Sequence, residues 1–232
     1  MKKVELEDSL VKDVKSRKIP IRKALLKWGE EHYRHFTWRE NRTPYSVLVS
    51  EILLKRTTAS AAKRMYEEFL STYPDLETLA KADREKLEKL LKTIGYHKRR
   101  TDILIEVASY ILSRYGGQIP RSRKDLLEIP FVGPYTSGAI LSLGYGIPSA
   151  MVDSNVERII RRLFLKHLSQ KKSFRIVLEI ADMFAPEENN QNYNFALLDF
   201  GALVCRYGTP KCKVCPINEF CDYYLSGKPF QP

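Results

Sequence analysis

Three features of the sequence predict an all-α fold. Apolar residues recur at three- and four-residue spacing along nearly every segment, which gives each segment one apolar face. Helix-start and helix-stop residues bracket these segments, for example Thr43-Pro44 before one and Gly116-Gly117 after another. No convincing alternating apolar–polar run suggests a strand, and no repeat recurs at a fixed period.

A helix over 20–34 opens at Pro20 and carries Ile21, Leu25, Leu26 and Trp28 at helical spacing. Thr43 is an N-cap and Pro44 a first-turn residue for a helix running to about Leu54. Residues 59–70 repeat the pattern with Ala62, Met65, Tyr66, Phe69 and Leu70. Pro74-Asp75 marks a turn before a short helix over 76–80, and a helix over 84–94 closes at Gly95. Residues 100–115 form a long amphipathic helix, stopped by Gly116-Gly117. A short helix over 122–127 leads into Ile129-Pro130-Phe131-Val132-Gly133-Pro134, and helices over 135–143, 154–165, 174–184 and 193–204 complete the set.

At 232 residues, 44% hydrophobic and 29% charged, the chain can bury the core of one large or two small domains. Its longest apolar runs, such as Val47–Val49 and Ile52–Leu54, are far too short to span a membrane. The charged N-terminal stretch lacks the apolar core of a signal peptide, so an intracellular protein is expected. The formal net charge of +11 suits a polyanionic partner, most simply nucleic acid; a generally basic, soluble surface explains it too.

The only four cysteines, Cys205, Cys212, Cys215 and Cys221, fall as C-x6-C-x2-C-x5-C near the C-terminus. Four thiolates in one short segment suit a single metal centre, either tetrahedral zinc or an iron–sulfur cluster. One C-x2-C flanked by single cysteines at unequal distances favours a cubane cluster over the paired knuckles of a zinc ribbon. Two disulfides rank last, because nothing in the chain suggests export.

Three further segments carry chemistry. In IPFVGPYTSGAILSLGYG (129–146), one helix ends and another begins across a tight turn containing Val132 and Gly133. Such a turn points backbone N–H groups outward at the positive end of a helix dipole, where a phosphate fits; an ordinary helix–turn–helix connection would use the same residues. In AMVDSNVERIIRRLF (150–164), Asp153 precedes an arginine-rich helix. It reads equally as an N-cap or as a rigid carboxylate that stabilises a cationic sugar-like transition state, and the two are compatible. In PYSVLVSEILLKRTTA (44–59), Glu51 lies among Val47, Leu48 and Leu54 at helical spacing. A part-buried carboxyl there is expected to have a raised pKa suited to proton transfer, whereas a solvated helix face would leave it ordinary. The adjoining Lys55-Arg56-Thr57-Thr58 reads as a phosphate contact or as a solvated basic turn.

Together these residues resemble the helix–hairpin–helix DNA glycosylases of the endonuclease III and MutY superfamily. The cysteine spacing is similar to that family's [4Fe–4S] loop, IPFVGPYTSGAI to its L-P-G-V-G-x-x-T-A hairpin, and VDSNVERIIRR to its V-D-x-N-V-x-R segment with the catalytic aspartate. FTWRENRTPYSVLVSEILLKRTTA resembles the MutY-like W-R-x-x-x-x-P-Y…S-E-x-x-L-x-x-T block. The resemblance runs from about Trp28 to Cys221.

It implies two lobes: a six-helix barrel with the hairpin over 45–148, and a cluster lobe combining 1–44 with 149–232. Double-stranded DNA with a mismatched or damaged base would lie across the cleft between them, with Asp153 at the junction and the target nucleotide flipped out. It further implies a monomeric enzyme acting in the nucleoid. Asp153 would stabilise the oxocarbenium-like sugar, Glu51 would move a proton or order the water, and Tyr135 would line the base pocket. Val132, Gly133 and Thr136 of the hairpin, with Lys55, would meet phosphates. Arg56 would fill the gap left by the flipped base and Tyr96 would wedge between bases, against plain readings as a surface arginine and a core tyrosine.

Bifunctional members carry a lysine two residues past the second hairpin glycine, where this chain has Tyr135, so strand cleavage by a Schiff base is not expected. MutY usually has serine there and an additional C-terminal domain. Tyr135, the E-I-L-L-[KR]-R-T-T-A block and the short stretch after Cys221 look most like the thymine/uracil mismatch glycosylases, which remove T or U opposite G. An adenine glycosylase acting opposite G or 8-oxoguanine is the alternative within enzymes, and a catalytically silent, metal-held DNA-binding protein is the alternative outside them. The chain departs from the hairpin pattern at its first glycine, which is Phe131. The [4Fe–4S] cluster would be structural, holding the basic loop 206–213 against phosphates.

Overall fold

The computed structural model describes residues 6–40, 42–55, 57, 59–168 and 173–227. In chain order the α-helices are α1 (Asp8–His32), α2 (Pro44–Leu54), α3 (Ala59–Thr72), α4 (Leu76–Ala80), α5 (Arg84–Leu91), α6 (His97–Tyr115), α7 (Arg123–Leu126), α8 (Pro134–Ala139), α9 (Ser154–Leu163), α10 (Phe174–Phe184), α11 (Asn190–Leu203) and α12 (Asp222–Leu225). There is no strand among the described residues, and the all-α class expected from the periodicity holds. No helix among them is long and apolar enough to cross a membrane. The chain divides into two compact units: His35–Gly146, and Met1–Arg34 with Ile147–Pro232.

In the His35–Gly146 unit, α2 begins as the sequence predicts. Thr43 accepts from the Ser46 N–H and Ser46 returns a bond to the Thr43 N–H, a reciprocal cap that satisfies two orphan donors. Val47, Leu48, Ile52 and Leu53 of α2 are buried, as are Leu104, Val107 and Ile111 of α6. α8 continues as a π-helical turn over Ile140–Gly144, which packs on α2. A Cβ on Gly144 would sit 2.8 Å from the Pro44 Cα, so only glycine permits this approach.

The far end of α2 is closed from another helix. Arg100, 4% exposed, donates to the carbonyls of Ile52, Leu53 (3.0 Å) and Lys55 (2.9 Å), and burial lowers its pKa. One guanidinium thus meets carbonyls that the helix leaves unpaired. Arg100→Ala is expected to lower unfolding stability by about 2–3 kcal/mol, because those carbonyls lose a charged donor. Urea unfolding checks it, and an unchanged midpoint would rule the cap out.

The other unit is built on α1. Sequence spacing places the helix start at Pro20, but α1 begins at Asp8 and runs through that proline. An interior proline costs roughly 3 kcal/mol. Leu10 and Val14 upstream are fully buried, each worth about 2 kcal/mol. Arg17 adds bonds to Asp13 (2.6 Å), Asp222 (2.9 Å) and the Leu163 and Phe220 carbonyls. These gains exceed the proline's cost, so the stretch before Pro20 is folded. Leu25 and Ile21 of α1 then share one core with Val156 and Ile160 of α9, Val177 and Phe184 of α10, and Tyr193 and Phe200 of α11.

The first boundary between units falls at Arg34–His35 rather than at 44–45. Phe36 stacks on Trp38 at 4.8 Å and Trp38 meets Tyr66 of α3 edge-on at 6.2 Å, which ties this aromatic segment to the His35–Gly146 unit. Two helix starts also lie three residues earlier than expected, α6 at His97 instead of Arg100 and α11 at Asn190 instead of Tyr193.

Candidate functional site

Asp153 is the N-cap of α9, with extended backbone (φ −92°, ψ −176°). Its Oδ1 accepts from the Val156 N–H at 2.8 Å and its Oδ2 from Asn155 Nδ2 at 2.8 Å. Both carboxylate oxygens are therefore held, and the side chain is half-buried at the positive end of a helix.

Asn155 is itself held. Its Oδ1 accepts from Arg158 Nη2 at 2.8 Å, the two lying three apart on one helix face. Arg158 reaches on to the Gly201 carbonyl (3.0 Å) and, through Nε and Nη2, to the Cys205 carbonyl (3.0 and 2.8 Å). Burial lowers the Arg158 pKa, while Cys205 and Asp153 counter it. A continuous chain of hydrogen bonds thus joins the Asp153 carboxylate to the first cysteine. Gly201 makes room for it: a Cβ there would lie 2.7 Å from the Asn155 Cβ. Sequence reasoning singled out neither Asn155 nor Arg158, although both lie in the VDSNVER segment.

The four cysteines line one cavity together with Arg162 and Tyr223. Arg162 Nη1 lies 3.2 Å from the Cys205 Sγ and its guanidinium 5.2 Å from the Tyr223 ring centroid. Burial pushes the Cys215 thiol up to about 12 and Cys221 to about 11, so as free thiols they stay protonated and a bound metal must displace the protons. Among the described residues no three His, Cys, Asp or Glu side chains come together for a single ion. Tetrahedral zinc would draw its sulfurs to about 3.8 Å of one another. The four thiols share one cavity without closing on a single point, which suits a multi-atom cluster better than one zinc ion.

In the other unit, the hairpin follows α7, whose N-cap Ser122 accepts from the Asp125 N–H at 3.1 Å. Phe131 adopts φ +63°, the left-handed conformation that the family's glycine takes without strain. The turn survives the replacement. Val132 N–H donates to the Ile129 carbonyl at 3.2 Å, and Gly133 starts α8 with Pro134 at the first helical position.

One hairpin residue needs correction as a phosphate contact, and a second narrows to its backbone. Val132 is buried and its N–H is used within the turn. The Thr136 side chain is 4% exposed and packs inward, which leaves only its main chain on the helix's first turn. Gly133 is open, since a Cβ there would meet nothing within 4 Å. Tyr135 is half-buried on the first turn of α8, which packs against α2, the helix that carries the half-buried Glu51.

Lys55 is exposed and donates through Nζ to the Phe131 carbonyl at 3.4 Å. Tyr96 is 61% exposed and left-handed (φ +49°), directly after left-handed Gly95, so it is a surface residue and not a core tyrosine. Arg56 lies outside the described residues.

The comparisons with known proteins agree with this geometry. The family model for the HhH-GPD superfamily base excision DNA repair protein matches residues 49–181. A thymine/uracil-DNA glycosylase of Methanothermobacter thermautotrophicus is 36% identical over 211 residues, covering 90% of this chain and 95% of that protein. An adenine DNA glycosylase of Buchnera aphidicola subsp. Baizongia pistaciae is 29% identical, and the match covers 90% of this chain but 59% of that protein. The solved structure of a thermostable thymine-DNA glycosylase superposes with a TM-score of 0.83 at 34% identity, covering 94% of this chain and all (100%) of that one. With the family model matched over residues 49–181 and a relative 36% identical across 90% of the chain, the chain belongs to the HhH-GPD superfamily of base excision DNA repair proteins.

Proposed function

We propose that this protein is a monofunctional DNA glycosylase that flips T or U mispaired with G out of duplex DNA and hydrolyses its N-glycosidic bond. The observation that carries the reading is the Asp153 carboxylate, fixed by two 2.8 Å hydrogen bonds at a helix N-terminus. As the bond from C1′ to the base breaks, positive charge develops on the sugar, and a preorganised anion stabilises it without reorganising. Water then adds to C1′ and the base leaves with its electron pair. Glu51 assists proton transfer or orders that water. Similarity to a thymine/uracil glycosylase over almost the whole of both chains supports T or U over adenine as the target.

Release of base from T:G, U:G and A:8-oxoguanine duplexes, read as strand breaks after alkali, tests this. Cleavage of T:G and U:G supports it, cleavage of the adenine duplex alone supports the adenine reading, and no cleavage of any supports a silent binding protein. Tyr135 replaces the amine that would form a Schiff base. Strand cleavage without alkali should therefore be weak or absent, and Tyr135→Lys should introduce borohydride trapping on the DNA. Failure to trap would displace Tyr135 from the sugar.

Cys205, Cys212, Cys215 and Cys221 would hold a [4Fe–4S] cluster, which supplies a covalent tie across the loop and no electron to base release. The cluster would present the basic 206–213 segment to DNA phosphates. Iron and acid-labile sulfide in equal amount support it; stoichiometric zinc would replace it.

A further inference from the structure

Three segments of the His35–Gly146 unit converge on one residue that departs from its family's pattern. Phe131 holds a left-handed backbone (φ +63°) at the exposed tip of the hairpin, where glycine would be unstrained. The Arg99 guanidinium lies over its ring, 5.1 Å from the centroid. Lys55 Nζ donates to its carbonyl at 3.4 Å. Lys55 and Arg99 are exposed, and among the described residues neither pairs with a carboxylate. Arg99 also stands in the first turn of α6 with His97 and Lys98 and no acidic residue, where the helix dipole repels cations.

From this convergence we infer that Phe131 is a platform that holds Arg99, beside Lys55, as a side-chain clamp for one backbone phosphate of duplex DNA. Two unneutralised cations at a strained aromatic, one of them against a helix dipole, form an arrangement that an anion between them would relieve. The ring limits where the guanidinium can go, so less side-chain freedom is lost when the phosphate arrives. Phe131 thus exchanges backbone ease for a preplaced cation. The inference rests on DNA as the partner and deepens that reading. The clamp reads no base, so it acts on undamaged duplex as well.

The test is fluorescence anisotropy with a short undamaged duplex between 50 and 200 mM salt, together with thermal melting. Arg99→Ala should make the slope of log K against log salt shallower by about 0.9, so that the wild-type advantage shrinks about threefold across that range. Phe131→Gly should weaken binding severalfold while melting at the same or a higher temperature, because the strain is gone. The double variant should bind no more weakly than Arg99→Ala alone, since both act on one contact. An unchanged slope in Arg99→Ala, wild-type affinity in Phe131→Gly, or additive losses in the double variant would overturn the clamp and leave the DNA reading standing. Failure of the wild-type protein to bind duplex at 50 mM salt would overturn both.

Discussion

An Asp153→Asn protein is expected to bind a T:G duplex with near wild-type affinity and to release thymine from it at least about a thousandfold more slowly. The substitution is suited to the question because it leaves the local fold alone. Asparagine is as good an N-cap as aspartate. Its Oδ1 can still accept from the Val156 N–H, so the cap that starts α9 stays. Only the bond from Asn155 Nδ2 is given up, because the Asn155 Oδ1 is engaged by Arg158 and the amide cannot turn without breaking that contact. What disappears is the negative charge facing the cationic sugar. Loss of one preorganised electrostatic contact costs about a hundred- to a thousandfold in comparable sites, and a full charge should lie at or above the upper end. Single-turnover base release and anisotropy binding measure the two halves. Substantial turnover by the variant would remove Asp153 from the chemistry and leave it as a cap alone.

Asp153 also shows where sequence and structure meet. The N-cap was legible because a carboxylate directly before an apolar-periodic helix has one common use, and the catalytic reading needed only the surrounding motif. The helices with strong apolar spacing, such as α9 and α10, were legible for the same local reason. Local rules failed at Pro20, where proline announces a helix start but distant packing of Leu10 and Val14 outweighs it.

They failed again at the hairpin's side chains. Periodicity does not say that Val132 and Thr136 turn inward or that the Val132 amide is spent on Ile129. Long-range polar contacts left the weakest trace. Arg100 capping α2 and Arg158 bridging to Cys205 join residues far apart in the chain, and arginine in a basic sequence looks like a surface charge until burial is known.

Arg158 is where those long-range contacts matter most. Its fork holds three acceptors at once: Asn155 Oδ1, the Gly201 carbonyl and the Cys205 carbonyl. Arg158→Ala strips charged hydrogen bonds from two buried segments, so a loss of roughly 3 kcal/mol is expected. For a chain of this size that lowers the melting point by about 10 °C. It also frees Asn155, which holds Asp153 Oδ2, and misplacement of a catalytic group by about an ångström can cost a hundredfold in rate. Base release per folded molecule should therefore fall about ten- to a hundredfold, well beyond what instability alone produces. Arg158→Lys should rescue little, because an ammonium keeps the charge but cannot span the three acceptors. Gly201→Ala approaches the same point from the other side: its Cβ would press on Asn155 at 2.7 Å and should slow base release with Arg158 intact. Both variants melting low yet releasing base at the wild-type rate would make Arg158 a strut of the fold and detach the cysteine loop from Asp153.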